Sequence, residues 1–224
     1  MARTQVIGVV SQKGGVGKST LCQLIAREAA IGGRHAKILD FDVKQMTSTD
    51  WVRARLERDF APAIDAEPTR NVDKALKHSK GYDLIVLDGA PGSPKRTAEL
   101  MPACDLIVLP TGASRADLVP GLVLARRIAE MKLAVDGPVF ALCRIMTASE
   151  ATEARAAIAA AGFETLDGEL IERPGYRQAQ NLGRSPTETA YPSLNTKARA
   201  LAHSILDRLA WDAIPLRTVR RNRG

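Results

Sequence analysis

Apolar residues along this chain follow two alternating rhythms. Short unbroken apolar runs occupy residues 4–10 (TQVIGVV), 82–92 (YDLIVLDGAPG), 105–110 (DLIVLP) and 138–145 (PVFALCRI). They have the length of strands buried on both faces. Residues 36–42 (AKILDFD) read the same way, and 63–67 and 164–166 are shorter candidates. Between the runs, apolar positions recur at helical spacing over 18–33, 47–59, 114–132, 149–162, 174–183 and 192–210, with shorter helices at 71–79 and 95–104. Gly32-Gly33 and Gly162 are stop signals, and Pro120 is expected to kink the helix around it. Strands alternating with helices imply right-handed crossovers between parallel strands. The expected fold class is α/β: a doubly wound, mostly parallel central sheet flanked by helices. It forms a single domain over residues 1–212, followed by a basic tail at 213–224.

Composition narrows the class. With 224 residues and 24.1 kDa there is room for one sizeable core, and at 45% hydrophobic but 4% aromatic that core is built from Ala, Leu, Ile and Val. Cys22, Cys104 and Cys143 lie in apolar runs without disulfide or CxxC spacing, as expected of reduced thiols in a cytosolic protein. The stretch before the glycine-rich loop is too short for a signal peptide, and no apolar run approaches the roughly 20 residues of a membrane span. The net charge of +7 is partly local, since LRTVRRNRG carries four arginines and no acid. Such a balance suits a polyanionic partner, or simply solubility.

The chemistry starts at residues 14–20, GGVGKST, which follow the first strand and open the first helix. That context marks a phosphate-binding loop. Gly14, Gly15 and Gly17 allow tight turns that aim backbone N–H groups, that of Val16 included, at phosphate oxygens. The helix N-terminus adds partial positive charge. Lys18 is expected on the β and γ phosphates, Ser19 on Mg²⁺ and Thr20 on the α phosphate. Carboxylates at neighbouring strand ends complete such a site. Asp88 is the candidate for orienting the Mg²⁺ shell, and Asp42 for the shell and the attacking water. Strand-end aspartates also cap following helices, and for Asp40 both readings stay open.

Lys13 is a second lysine that an ordinary phosphate loop does not need. With it, KGGVGKST resembles the deviant Walker A motif of the ParA/MinD ATPases. ILDFD and LIVLDGAP are similar to that family's second strand and Walker B strand. DLIVLPTGASRADL and the segment from IERPG to AYPSL resemble its later elements, so the likeness runs through nearly the whole chain. The resemblance implies an ATP hydrolase with ATP and Mg²⁺ as cofactors. It also implies a homodimer formed with ATP, in which Lys13 reaches the partner's phosphates, so Lys13, Lys18 and Asp42 form the catalytic set. A cation from each subunit would neutralise buried polyphosphate charge. This chain departs from the family pattern at Asp42-Val43-Lys44-Gln45, where Asp-Pro-Gln is usual, and at Cys143-Arg144, where Asn is frequent. Arg144, Arg173 and Pro174 are the expected base-pocket residues.

Family members differ in the surface they hold. The tail is interrupted by Pro215 and poor in apolar residues, which argues against a membrane-binding amphipathic helix. Arg217, Arg220, Arg221 and Arg223 suit non-specific DNA contacts, with Arg184 and Lys197–Arg199 as further basic residues; a solvated tail is the plain alternative. The expectation is a slow ATPase stimulated by a ParB-like or other cargo adaptor and segregating cargo, first of all plasmid DNA. It would be cytoplasmic, bacterial and nucleoid-associated when ATP-bound. The chain starts at its first strand, so an operator-reading extension is not expected. A MinD-like membrane ATPase, positioning of a protein compartment or DNA-transfer complex, and a small-molecule kinase or ligase are the alternatives.

Overall fold

The structure, a computed structural model, describes residues 3–90, 92, 94–131 and 137–209. Seven strands and eight helices alternate along it. The strands are β1 (Gln5–Val9), β2 (Ala36–Asp40), β3 (Asp65–Pro68), β4 (Leu84–Asp88), β5 (Leu106–Thr111), β6 (Pro138–Ile145) and β7 (Glu164–Ile171). The helices are α1 (Lys18–Ile31), α2 (Thr47–Leu56), α3 (Val72–His78), α4 (Pro94–Leu100), α5 (Arg115–Glu130), α6 (Ala148–Ala160), α7 (Pro174–Asn181) and α8 (Pro192–Leu206). The strands form one parallel sheet in the order β3-β2-β4-β1-β5-β6-β7. This is the single-domain α/β fold expected from the alternating rhythms.

The unbroken apolar runs are buried on both faces, and neighbouring residues of one strand serve opposite layers. Ile7, Val9, Ile38, Leu84 and Val86 pack with residues of α1, α2 and α8. Val6, Val10, Leu39, Ile85 and Leu87 pack with residues of α5 and α6. All three cysteines are free and buried. β7 runs well past the expected 164–166. As an edge strand it is covered only in part, so its sequence, ETLDGELI, lacks the apolar run that marks central strands. Gly168 in β7 adopts φ +78, and a Cβ there would lie 2.8 Å from the Leu201 backbone nitrogen, so α8 needs glycine at that point. Pro120 lies within α5, which runs unbroken from Arg115 to Glu130. The residues at 95–104 form α4 and then a 3₁₀ turn, Met101–Ala103.

One buried clasp fixes α2 against the segment that leads into α8. Arg55 is 1% exposed. It donates to the carbonyls of Pro62, Ala61 and Gly183 at 3.2, 2.8 and 3.1 Å, and to Glu188 Oε2 and Oε1 at 2.7 and 3.1 Å. Trp51 Nε1 adds a bond to the Arg184 carbonyl at 3.1 Å. A guanidinium taken out of water is tolerated only when it is so paired. Glu188→Ala strands the Arg55 charge, and urea unfolding is expected to show a loss of about 3–5 kcal/mol; a loss under about 1 kcal/mol would refute the clasp's importance.

Candidate functional site

The first two strands placed side by side by the sheet, β1 and β4, end at matching positions: Val9 pairs with Asp88, and on the other side Asp40 of β2 pairs with the same Asp88. The loops after β1, β2, β4 and β6 therefore open onto one edge, where they enclose a cleft of about 370 Å³. Gly14, Gly15, Gly17, Lys18, Ser19, Thr20, Asp42, Asp88, Arg144 and Arg173 all line it. Val16 is buried behind the loop, and Lys13 and Pro174 lie outside the lining set.

The loop before α1 is shaped by its glycines. Gly15 and Gly17 adopt φ +72 and +101, and no atom lies within 4 Å of a Cβ built on Gly14 or Gly15. The first turn of α1 carries no acidic residue and no side-chain cap, so its N–H groups face the cleft as an anion site. The Lys18 side chain enters beneath the loop. It is 7% exposed, and Nζ lies 3.3 Å from the Lys13 carbonyl. Burial lowers its pKa, while Asp88, Cys22 and Asp42 act to raise it.

Asp88 is 2% exposed, and burial pushes its pKa up to about 6 against the opposing hydrogen bonds of Ser48 and Ser19. The structure resolves the two readings of Asp40. This carboxylate is fully buried; Oδ2 accepts from Ser48 N, Thr49 N and Thr49 Oγ1 at 3.1, 3.2 and 3.3 Å, and Oδ1 accepts from Asp42 N at 3.1 Å. Asp40 thus anchors the start of α2. Asp42 Oδ1 accepts from Lys44 N and Gln45 N, and its carbonyl accepts from Gln45 N and Met46 N. The extra residue in this loop is absorbed as a tight turn that ends at Met46 with φ +47.

Lys13 points along the rim, not into the cleft. Its ammonium pairs with Asp117 Oδ1, and Nζ lies 3.4 Å from the Ala116 carbonyl. Pro120 cannot donate to that carbonyl, because proline has no N–H. Ser114 Oγ donates to Asp117 Oδ2 at 2.7 Å. Burial works against the Asp117 carboxylate, yet Lys13 and Ser114 hold its pKa below the ordinary value. Arg144 follows the buried run of β6 at φ +59; it donates to Gly15 O at 3.1 Å and to Glu172 Oε2 at 2.9 Å. Arg173 donates to the Glu172 carbonyl at 2.8 Å, and Pro174 opens α7. Gln180 of α7 donates to Thr20 Oγ1 at 3.1 Å and Gln23 Oε1 at 2.7 Å.

Sequence reasoning missed Ser48, Asp117, Glu172 and Gln180. Ser48 and Asp117 stand in stretches read only as helix starts, and nothing local marks Gln180. Arg217, Arg220, Arg221 and Arg223 lie outside the described residues, as does the tail at 213–224. Of the further basic residues, Arg184 sits 4.9 Å over the Phe60 ring and Arg199 Nε lies 3.5 Å from Glu28.

These residues fit a nucleotide with a divalent cation. The space over Gly14 and Gly15, the buried Lys18 ammonium and the bare first turn of α1 all suit phosphate oxygens. Ser19, Asp42 and Asp88, which all line the cleft, are the groups that could hold Mg²⁺. No group of three or more His, Cys, Asp or Glu among the described residues could hold a cation by itself. Phosphate oxygens and water would therefore have to complete its shell.

The chain is similar to several known proteins. The family model of the ATPase MipZ matches residues 5–112. Protein ParA of Rhizobium radiobacter is 25% identical over 178 residues, covering 76% of this chain and 80% of the relative. The maintenance of carboxysome distribution protein A of Gloeobacter kilaueensis is 30% identical over 115 residues, covering 51% of this chain and 52% of the relative. Among solved structures, a putative plasmid partition protein of Borrelia burgdorferi bound to AMPPNP shares the fold with a TM-score of 0.74 at 14% identity, covering 92% of this chain and 100% of that one.

The buried Asp88 carboxyl has a consequence for stability. Its raised pKa means that the folded chain holds a proton there which the unfolded chain has lost, between about pH 4 and pH 6. Folding stability from this group therefore falls as pH rises through that window, by about 3 kcal/mol at most, and is flat above it. Asp88→Asn is expected to stabilise the nucleotide-free protein by an amount that grows from pH 4 to pH 6. Urea unfolding over that range checks it; a difference independent of pH would contradict the assignment.

Proposed function

We propose that the chain belongs to the ParA/MinD family of P-loop ATPases, to whose members it is similar, and that it is an ATP-gated dimer that holds DNA while ATP is bound and releases it on hydrolysis. The observation that carries this reading is Lys13. It lies at the exposed rim of the cleft, its side chain 41% accessible and its ammonium engaged with Asp117 of its own chain. A lysine that serves its own nucleotide would point inward, as Lys18 does. One at the rim can serve a second copy once it leaves Asp117, and the polyphosphate of a facing subunit is a stronger anion than one carboxylate.

In this reading Gly14–Thr20 and Lys18 bind the phosphates, and Ser19 and Asp88 hold Mg²⁺, which supplies charge neutralisation at the phosphates. Asp42 orients the attacking water after its carboxylate exchanges the N–H groups of Lys44 and Gln45 for it. Arg144, Arg173 and Pro174 flank the base. Closing two copies face to face excludes water and strengthens each of these contacts. Hydrolysis, slow alone and stimulated by an adaptor, removes the charge that Lys13 crosses to meet, and the dimer opens.

The surface the dimer holds is DNA, bound without sequence preference through the basic tail and its Arg217, Arg220, Arg221 and Arg223. No helix among the described residues is long and apolar enough to cross a membrane. The cargo is a plasmid in the first instance, which the likeness to ParA supports; the likeness to the carboxysome distribution protein supports a protein compartment as the second reading. A bacterial, cytoplasmic location on the nucleoid follows from this role.

DNA co-sedimentation across nucleotide states and salt tests the switch. Wild type is expected to pellet with DNA in ATP and not in ADP, and less so as salt rises. Lys18→Ala is expected to abolish ATP binding and with it the DNA signal. Asp42→Ala is expected to bind ATP, to lose hydrolysis by about 100-fold or more, and to stay on DNA. DNA binding of equal strength in ADP and ATP would overturn the proposal.

A further inference from the structure

Ser48 stands between the two carboxylates that the β2–β4 register sets side by side. It is fully buried, its N–H donates to Asp40 Oδ2 at 3.1 Å, and its hydroxyl donates to Asp88 Oδ2 at 2.7 Å. Asp40 and Asp88 are themselves 0% and 2% exposed. Two neighbouring carboxylates out of water repel each other, and a donor placed between them is worth more there than at a surface. Asp40 in turn accepts from Asp42 N at 3.1 Å. One continuous set of bonds thus links Asp88, Ser48, Asp40 and the turn that carries Asp42.

We propose that Ser48 is a positioning residue for the cation of this site: its hydroxyl holds Oδ2 of the Asp88 carboxylate toward α2 and, with the Ser19 hydrogen bond on the same carboxylate, sets the rotation in which Asp88 would meet the Mg²⁺ shell. The inference rests on reading the cleft as a nucleotide–Mg²⁺ site. A helix-capping role does not account for the hydroxyl. The start of α2 is anchored by Asp40, which takes the N–H groups of both Ser48 and Thr49. The residue preceding the helix, Met46, makes no side-chain cap. The Ser48 hydroxyl gives its proton to Asp88 and to no backbone carbonyl. Groups that orient a metal-binding side chain in this way typically change metal affinity 10- to 100-fold when removed. Through Asp40 the same hydroxyl also couples the cation to the Asp42 turn.

The test is a Mg²⁺ titration of a fluorescent ATP analogue bound to the full chain, read as nucleotide binding and not as turnover. Ser48→Ala is expected to raise the Mg²⁺ midpoint about 10-fold or more. Its affinity for the analogue in EDTA should stay within about twofold of wild type, a ratio worth under about 0.5 kcal/mol. Ser48→Cys keeps the volume but donates weakly, so it guards against a packing defect in the alanine variant; its midpoint should also rise. Wild-type midpoints in both variants overturn the role of Ser48. A wild type whose binding of the analogue ignores Mg²⁺ overturns it together with the reading of the site on which it rests.

Discussion

Three charges buried at one end of a parallel sheet organise this molecule. The register of β2 and β4 brings Asp40 beside Asp88, and α1 lowers Lys18 into the same dry pocket. None of the three gains enough from the others to be at ease: burial raises the pKa of both carboxyls and lowers that of the lysine. Asp40 is compensated by the backbone at the start of α2, and Asp88 in part by Ser48. Lys18 Nζ lies 3.3 Å from a loop carbonyl, and Asp88, Cys22 and Asp42 offset its burial in part. A polyanion carrying a divalent cation supplies what each of the remaining two lacks.

The same geometry gives the site a route outward. The Asp42 turn opens α2, and α2 is clasped by Arg55 and Trp51 to the segment from Gly183 to Glu188. That segment leads directly into α8, which is packed against α1 and β7 and runs toward the basic C-terminus. Hydrogen bonds and packing thus connect the Asp42 turn to α8 through α2 and the segment from Gly183 to Glu188. On the other side of the cleft, Arg144 ties the phosphate loop at Gly15 to Glu172, one residue before the stretch that opens α7. Both sets of contacts end in the C-terminal third of the chain.

Much of this was legible from residue order. Unbroken apolar runs mark a strand wherever both faces are covered, so β1, β2, β4, β5 and β6 were visible, whereas the edge strand β7 showed only its first residues. GGVGKST announced its loop because the backbone there needs glycine and the chemistry needs Lys18 and Ser19. What stayed hidden depends on register and distance. The role of Asp40 follows from its alignment with Asp88 and from the first turn of α2, neither of which is encoded locally. Lys13 and Asp117 are 104 residues apart, and their pairing is a product of α5 starting beside the loop. The turn at Asp42 depends on Met46 accepting a left-handed conformation that side chains of its kind rarely adopt.

In the proposed switch Lys13 exchanges a partner in its own chain for one in a second copy. Sedimentation equilibrium with a slowly hydrolysed ATP analogue measures this most directly. The expected mass is 24.1 kDa in ADP and twice that in the analogue, with no doubling for Lys13→Ala although it still binds nucleotide. A wild type that stays at 24.1 kDa with the analogue saturating, or a Lys13→Ala variant that dimerises as well as wild type, would contradict it.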